Sequence, residues 1–295
     1  MTTTTCRAAA LGLLAAVMAL PACSGGGTSS HAARGVAMRP VSLLAAPKDA
    51  LAATVPQPNG TMWVLAGGRA SRGLFELNAM TGHVLGSVSV SNAARSVAQS
   101  QSGIIGLALG TDRSGALALL DGRTAGTIRT VPLPAPARDV VAGSDGTTFY
   151  VLTGWATASS VAIVDSRDGR VRGTIPVPQG AVSVAPDVQQ TSLYVLQSNG
   201  HVSQIAIAGG KVMANFAVGN SGQSLTLSPD GGTLYALKDI NTAANVAVVN
   251  VARESVRRVL PAPSHCLEVL VSAGGGRLYD VVGTAKYGNI QEFAV

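Results

Sequence analysis

The chain has 295 residues, 47% of them hydrophobic and only 12% charged, with 35 glycines and a formal net charge of +6. Three cysteines, Cys6, Cys23 and Cys266, are too few for a disulfide-stapled scaffold, so stability has to come from burial, for which the apolar content is ample. Few charges, few aromatics and many glycines fit a turn-rich all-β protein, and the modest positive charge fits solubility or a mild preference for anionic surfaces.

Residues 1–22 read as a leader outside the fold. A short polar start carries Arg7, and residues 8–20 form an apolar run too short to span a bilayer as a mature helix. The run ends in Leu20-Pro21-Ala22-Cys23, which resembles a bacterial lipoprotein signal, with Pro21 a departure from the usual small or β-branched residue. That resemblance implies lipid on Cys23, membrane attachment and an extracytoplasmic address. Residues 23–34, rich in Gly and Ser, then read as a flexible tether. With Cys6 removed and Cys23 lipidated, only Cys266 is left, and no intrachain disulfide is possible. An exported chain meets no intracellular nucleic acid.

From residue 35 onward the pattern is strand and turn. Residues 36–44 can form one strand. Beyond them a unit recurs, most legibly at residues 144–178: the turn Ser144-Asp145-Gly146, the run TTFYVL, a polar loop, SVAIVDSRDG, then RVRGTIPVP. Its runs are short, β-branched or aromatic, and broken by Gly, Asp or Pro, which suits a pleated surface and not helices. Asp168-Gly169 between two such runs is a hairpin signal. The turn glycine recurs as Gly60, Gly103, Gly146, Gly231 and Gly275, about 43 residues apart with one double gap, a period expected of four-stranded propeller blades. Pro186-Asp187, matched to Pro229-Asp230, fills the double gap. The second strand repeats as MWVL at Met62, FYVL at Phe149, LYVL at Leu193, LYAL at Leu234 and LYDV at Leu278, while the second copy, IIGLALG, lacks the aromatic residue.

SPDGGTLYAL at Ser228, LYVL at Leu193, SVAIVD at Ser160 and TIPVP at Thr174 resemble the YVTN family of β-propeller repeats, over roughly residue 49 to the C-terminus. That family often has seven blades. Six are counted here, and the last copy stops one strand short, so residues 36–44 are expected to complete the final blade and close the ring over residues 35–295. The reading is an all-β, six-bladed propeller, monomeric, with no second domain.

In such a ring the first strand of each blade lines the channel. Residues eight before each turn glycine then rim its mouth: Ala52, Arg95, Arg138, Gly180, Gln223 and Leu267, with Asp139 and Glu268 one position on. The loops on that face add Arg69, Arg72, Asp112, Arg113, Trp155, His201, Lys238, Asp239, Lys286 and Tyr287, and the interblade turns add Lys48, Asp49 and His265. Arg95 and Arg138 hold equivalent places in adjacent blades. Two guanidinium groups side by side accept a carboxylate or phosphate, unless each is paired, Arg138 with Asp139 or Glu268. Trp155, in the polar loop GWATASS, and Tyr287 are candidate partner contacts, or Trp155 packs over a blade edge.

A catalytic reading has less to stand on. Cys266 beside His265 reads as a small buried residue at a strand start, since a zinc or nucleophile site needs further groups meeting in space. No Gly-x-Ser-x-Gly elbow is present, and Gly274-Gly275-Gly276 reads as a hairpin turn. No cofactor is implied. The expected function is a lipid-anchored, non-catalytic module of the cell envelope that binds a protein or a small anionic ligand. The alternative is a metal-dependent, lactonase-type hydrolase with a cation held in the channel by Asp139, Glu268 and backbone carbonyls.

Overall fold

A computed structural model describes residues 40–295 apart from 69–70, 156–157 and 240–242, and apart from the side chain of Trp155. Every regular element in it is a strand. The first, β1 (Ser42–Ala46), belongs to the last blade. Blade 1 is β2 (Ala50–Ala53), β3 (Thr61–Ala66), β4 (Arg72–Asn78) and β5 (Val84–Val90). Blade 2 is β6 (Ala94–Gln99), β7 (Ile104–Gly110), β8 (Gly115–Asp121) and β9 (Thr127–Leu133). Blade 3 is β10 (Ala137–Ala142), β11 (Thr148–Trp155), β12 (Ala158–Asp165) and β13 (Arg170–Val177). Blade 4 is β14 (Ala181–Pro186), β15 (Ser192–Gln197), β16 (His201–Ala206) and β17 (Val212–Ala217). Blade 5 is β18 (Ser224–Leu227), β19 (Thr233–Lys238), β20 (Asn245–Asn250) and β21 (Ser255–Pro261). Blade 6 is β22 (Cys266–Val271), β23 (Arg277–Gly283) and β24 (Gly288–Ala294), completed by β1.

Each blade is a four-stranded antiparallel sheet in sequence order, except that β1 takes the outermost place beside β24. The ring therefore closes by pairing the first described strand, β1, with the last, β24. The closing strand lies a few residues downstream of the expected 36–44, at Ser42–Ala46, with Leu44 opposite Ile290. Its burial explains the register: Leu44 is buried and both neighbours are exposed, so one apolar side chain per two residues meets the sheet below. Residues 36–39 of the expected strand lie outside the described residues.

The core is divided among the seams between blades. Trp63, Leu65 and Leu74 of blade 1 meet Ile105, Leu107 and Leu120 of blade 2. The seam that closes the ring sets Met62, Val64 and Leu77 of blade 1 against Tyr279, Val281 and Ile290 of blade 6. A second strand packed on both faces has to be apolar throughout, which is why MWVL, FYVL and LYVL read as unbroken runs. Gly106 replaces the aromatic residue of blade 2 for a packing reason: a Cβ there would lie 2.6 Å from the buried ring of Phe149, which reaches across from blade 3. The outer strands are largely exposed, as in β21, where only Leu260 is buried.

One core position breaks the pattern. Asp280 stands in β23 where the other blades place Val64, Val151, Val195 and Ala236, all fully buried. It is 2% exposed, and its Oδ1 has no hydrogen-bond partner. Tyr279 and Val281 face blade 1, so Asp280 falls on the blade 5 side; burial raises the pKa of the Cys266 thiol and the charge of Asp280 adds to that rise.

The turn between first and second strands needs a left-handed residue. Gly60, Gly103, Gly146, Gly231 and Gly275 supply it, with φ between 72° and 83°, each N–H bonding the carbonyl three residues back. In blade 4 the same bond, Gln190 N–H to Asp187 O at 3.0 Å, puts Gln190 in that place at φ 55°. Pro186-Asp187 is therefore not the counterpart of Pro229-Asp230, and the expected register of blade 4 is corrected by two residues. A non-glycine residue is tolerated there because its side chain works: Gln190 Oε1 accepts from Tyr150 Oη at 2.9 Å and Nε2 donates to Ser144 Oγ at 3.2 Å, tying blade 4 to blade 3.

Candidate functional site

In five of the six blades the innermost strand begins with a bulge. Register slips between Ala50 and Ala52, Ala94 and Ser96, Ala137 and Asp139, Ala181 and Ser183, and Cys266 and Glu268. The extra residue turns its side chain toward the channel mouth. The rim residues are thus Leu51, Arg95, Arg138, Val182, Gln223 and Leu267, all lining one cavity of about 630 Å³. Four of the six expected rim positions hold. Ala52 gives way to Leu51 because blade 1 carries an extra residue before its turn, and Gly180 gives way to Val182 because the blade 4 turn is centred on Gln190.

The next residue of each first strand forms a second ring: Ala52, Ser96, Asp139, Ser183, Ser224 and Glu268. These side chains solve a problem that the fold creates. The inner edge of the first strands faces the bore with N–H groups that the ladder leaves unpaired, and each of the five polar ring side chains accepts from the neighbouring blade. Ser96 Oγ accepts from Val140 N–H at 3.4 Å, Asp139 Oδ2 from Val184 N–H at 3.1 Å, and Ser183 Oγ from Leu225 N–H at 3.1 Å. Ser224 Oγ accepts from Val269 N–H at 3.2 Å and Glu268 Oε2 from Ala53 N–H at 2.7 Å. Asp139 also takes the hydroxyls of Ser96 at 3.0 Å and Ser183 at 2.9 Å and its neighbour's N–H at 2.9 Å. Four donors surround that one carboxylate. The sequence reading found Asp139 and Glu268 but missed the three serines; the signal was a serine directly after the rim residue and before Val or Leu, as in RSV, VSV and QSL.

Asp139 and Glu268 stand in blades 3 and 6, on opposite sides of the bore. Burial raises the pKa of both. At Asp139 the hydrogen bonds oppose burial. At Glu268 burial pushes the carboxyl well above the usual range, the single N–H of Ala53 opposes it weakly, and the charge of Asp139 adds to the rise.

Above the belt the cavity is basic. Arg95 is exposed and donates its Nε to Gly110 O at 3.2 Å; no carboxylate among the described residues pairs with it. Arg138 is half-buried and donates Nη1 to Ala181 O at 3.3 Å; burial lowers its pKa and the nearby Asp139 charge works to raise it. Both guanidinium groups are anchored by a carbonyl of the wall, and Asn92, Asp112 and Gln223 complete the polar lining.

The surrounding loops are drawn together on this face by backbone bonds such as Gly67 N–H to Asp49 O at 3.1 Å and Asp239 N–H to Asn220 O at 2.9 Å. Lys48, Arg113 and Lys286 are exposed there, whereas Arg72 is buried and Lys238 is buried in an ion pair with Asp239. Tyr287 is 46% exposed, in a turn held by Thr284. His201 opens β16, and His265 is an exposed residue at φ 63°. Cys266 is a buried free thiol, its pKa pushed well up by burial, bonded through Sγ to Glu268 O at 3.4 Å. Cys23, Arg69 and the side chain of Trp155 lie outside what is described. No group of three or more His, Cys, Asp or Glu side chains is placed to hold a metal among the described residues. Among the described residues no helix is long and apolar enough to cross a membrane.

No protein-family model and no curated protein matches the chain. Among solved structures it is similar to hydrazine synthase of Kuenenia stuttgartiensis, with a TM-score of 0.65 and 15% identity over 83% of each chain. At that identity the likeness concerns the fold, a β-propeller, and nothing finer.

Proposed function

We propose that this six-bladed propeller is a non-catalytic binding module of the cell envelope, attached to the membrane through lipid on Cys23, that receives a small carboxylate or phosphate ligand in its basic mouth. One observation carries the reading: Arg95 and Arg138, from adjacent blades, open into the same cavity of about 630 Å³. Each is steadied by a wall carbonyl, so little rotamer freedom remains to be lost on binding, and the planar guanidinium suits a carboxylate or phosphate. Lys48, Arg113 and Lys286 add positive potential around the opening, which favours anion approach. The hydrolase alternative would draw its cation ligands from Asp139 and Glu268, but the oxygens of Asp139 already accept four donors from the wall.

Calorimetric titration with succinate, citrate and a phosphate monoester tests the pocket. Arg95→Ala and Arg138→Ala are each expected to weaken the best of these ligands at least about tenfold, with little change in thermal stability for Arg95→Ala. Absence of binding to the whole series by the unmodified protein would refute the anion reading. Attachment is tested separately in cells: Cys23→Ala should move the protein from the membrane to the soluble fraction and abolish incorporation of labelled palmitate. Unchanged fractionation would refute the lipid anchor.

A further inference from the structure

The belt divides the channel into two chambers of different chemistry. The chamber on the far side, about 660 Å³, is walled by the lower halves of the first strands: Val55, Val141, Ala185, Leu227 and Leu270 among others, with Pro56, Pro186 and Pro229 near its opening. Its charged lining residues are Asp139, Asp187 and Glu268; no Lys, Arg or His contributes among the described residues. The turns beside it add Asp145 and Asp230, so three consecutive blades, 3 to 5, set a carboxylate at this mouth. Burial works against ionisation at Asp145 and Asp187, but hydrogen bonds from Thr148 and Thr147, and from Thr191 and Ser192, outweigh it and hold both below the usual range. At Asp230 the bonds from Ser228 and Gly232 do the same. Of the basic residues of this face, Arg277 at the start of β23 is paired with Glu292, Arg167 and Arg172 farther out are paired with Asp165, and Arg123, Lys211 and Arg253 lie on the turns to the outer strands.

We infer that this far chamber is a second binding site, for a small apolar molecule bearing a positive charge, such as an alkylammonium ion. The wall supplies apolar contact and Asp187 in its lining supplies the counter-charge, with Asp145 and Asp230 on the adjacent turns adding to it at longer range. An anion of the same shape meets only negative charge. A polar cation gains nothing from a wall of Val, Leu and Pro. The inference stands independently of the anion reading, because the belt separates the chambers and the two sets of charged side chains do not overlap except at Asp139 and Glu268.

The test is titration of the full-length protein with n-octylammonium, n-octylsulfonate and ethylammonium, all below micellar concentrations. Octylammonium should bind with one-to-one stoichiometry, and the other two at least about tenfold more weakly. Asp187→Asn keeps an acceptor for Thr191 and removes the charge, and should weaken octylammonium about fivefold. Leu227→Arg, checked for retained thermal stability, should abolish binding by placing a cation in the wall. Arg95→Ala should leave octylammonium binding unchanged while it weakens the anions above. Equal binding of octylammonium and octylsulfonate, or an unchanged affinity in both Asp187→Asn and a folded Leu227→Arg, would overturn the assignment.

Discussion

Asp280→Val should make the protein more stable by about 4 kcal/mol at pH 8, and the gain should shrink steadily as the pH is lowered. In the unfolded chain this carboxyl ionises near its ordinary value of 3.8, whereas burial in the fold raises it to about 7. Between those values the native state binds more protons than the unfolded state. Stability therefore falls as pH rises through that window and levels off above it. The separation of the two values corresponds to about 4 kcal/mol. Valine at this position repeats what blades 1, 3 and 4 already contain, at Val64, Val151 and Val195, so the replacement meets a wall shaped for it. Denaturant unfolding of both proteins at pH 5 and pH 8 gives the answer, because other titrating groups cancel in the difference. A gain independent of pH would mean that Asp280 has a partner when ionised.

The same residue shows how far the sequence could be read. LYDV was legible as the sixth copy of LYVL because the strand is defined by its apolar period, and one acid does not erase it. Six blades, the shared last blade and the ring closure all followed from such periods. Register within a blade was less legible. Counting back from the turn glycine works only where the turn residue is glycine and the strand before it has a fixed length. Both conditions hold at Gly103, Gly146, Gly231 and Gly275, and so Arg95, Arg138, Gln223 and Leu267 fell on the rim. Gln190 hides the blade 4 turn because its compensation is a hydrogen bond to Tyr150, forty residues away, which no local pattern records. The serine belt was hidden for a related cause. A serine in a short apolar run is too common to single out, and its purpose appears only when the next blade presents an unpaired N–H to it.

That belt makes Asp139 the residue whose loss should be felt most widely among the channel-lining groups. Asp139→Ala leaves two hydroxyls, of Ser96 and Ser183, and two backbone N–H groups, of Val140 and Val184, without their acceptor. The hydroxyls can rotate, and Ser96 Oγ still lies 3.4 Å from Val140 N–H; the N–H of Val184 is fixed by the ladder of β14 with β15 and has nowhere to turn. With each unmet donor costing about 1–3 kcal/mol, a total loss of about 4 kcal/mol is expected, or a drop in Tm of about 10 °C. Ser224→Ala removes one acceptor, for Val269 N–H, and should cost about 1 kcal/mol. Asp139→Asn should resemble Asp139→Ala more than the parent protein, because its amide turns a donor toward groups that are themselves donors. If thermal unfolding ranked Ser224→Ala at or above Asp139→Ala, the belt would be a set of separate local bonds. If it ranks as expected, blades 2, 3 and 4 are locked to one another through a single carboxylate beneath the basic mouth.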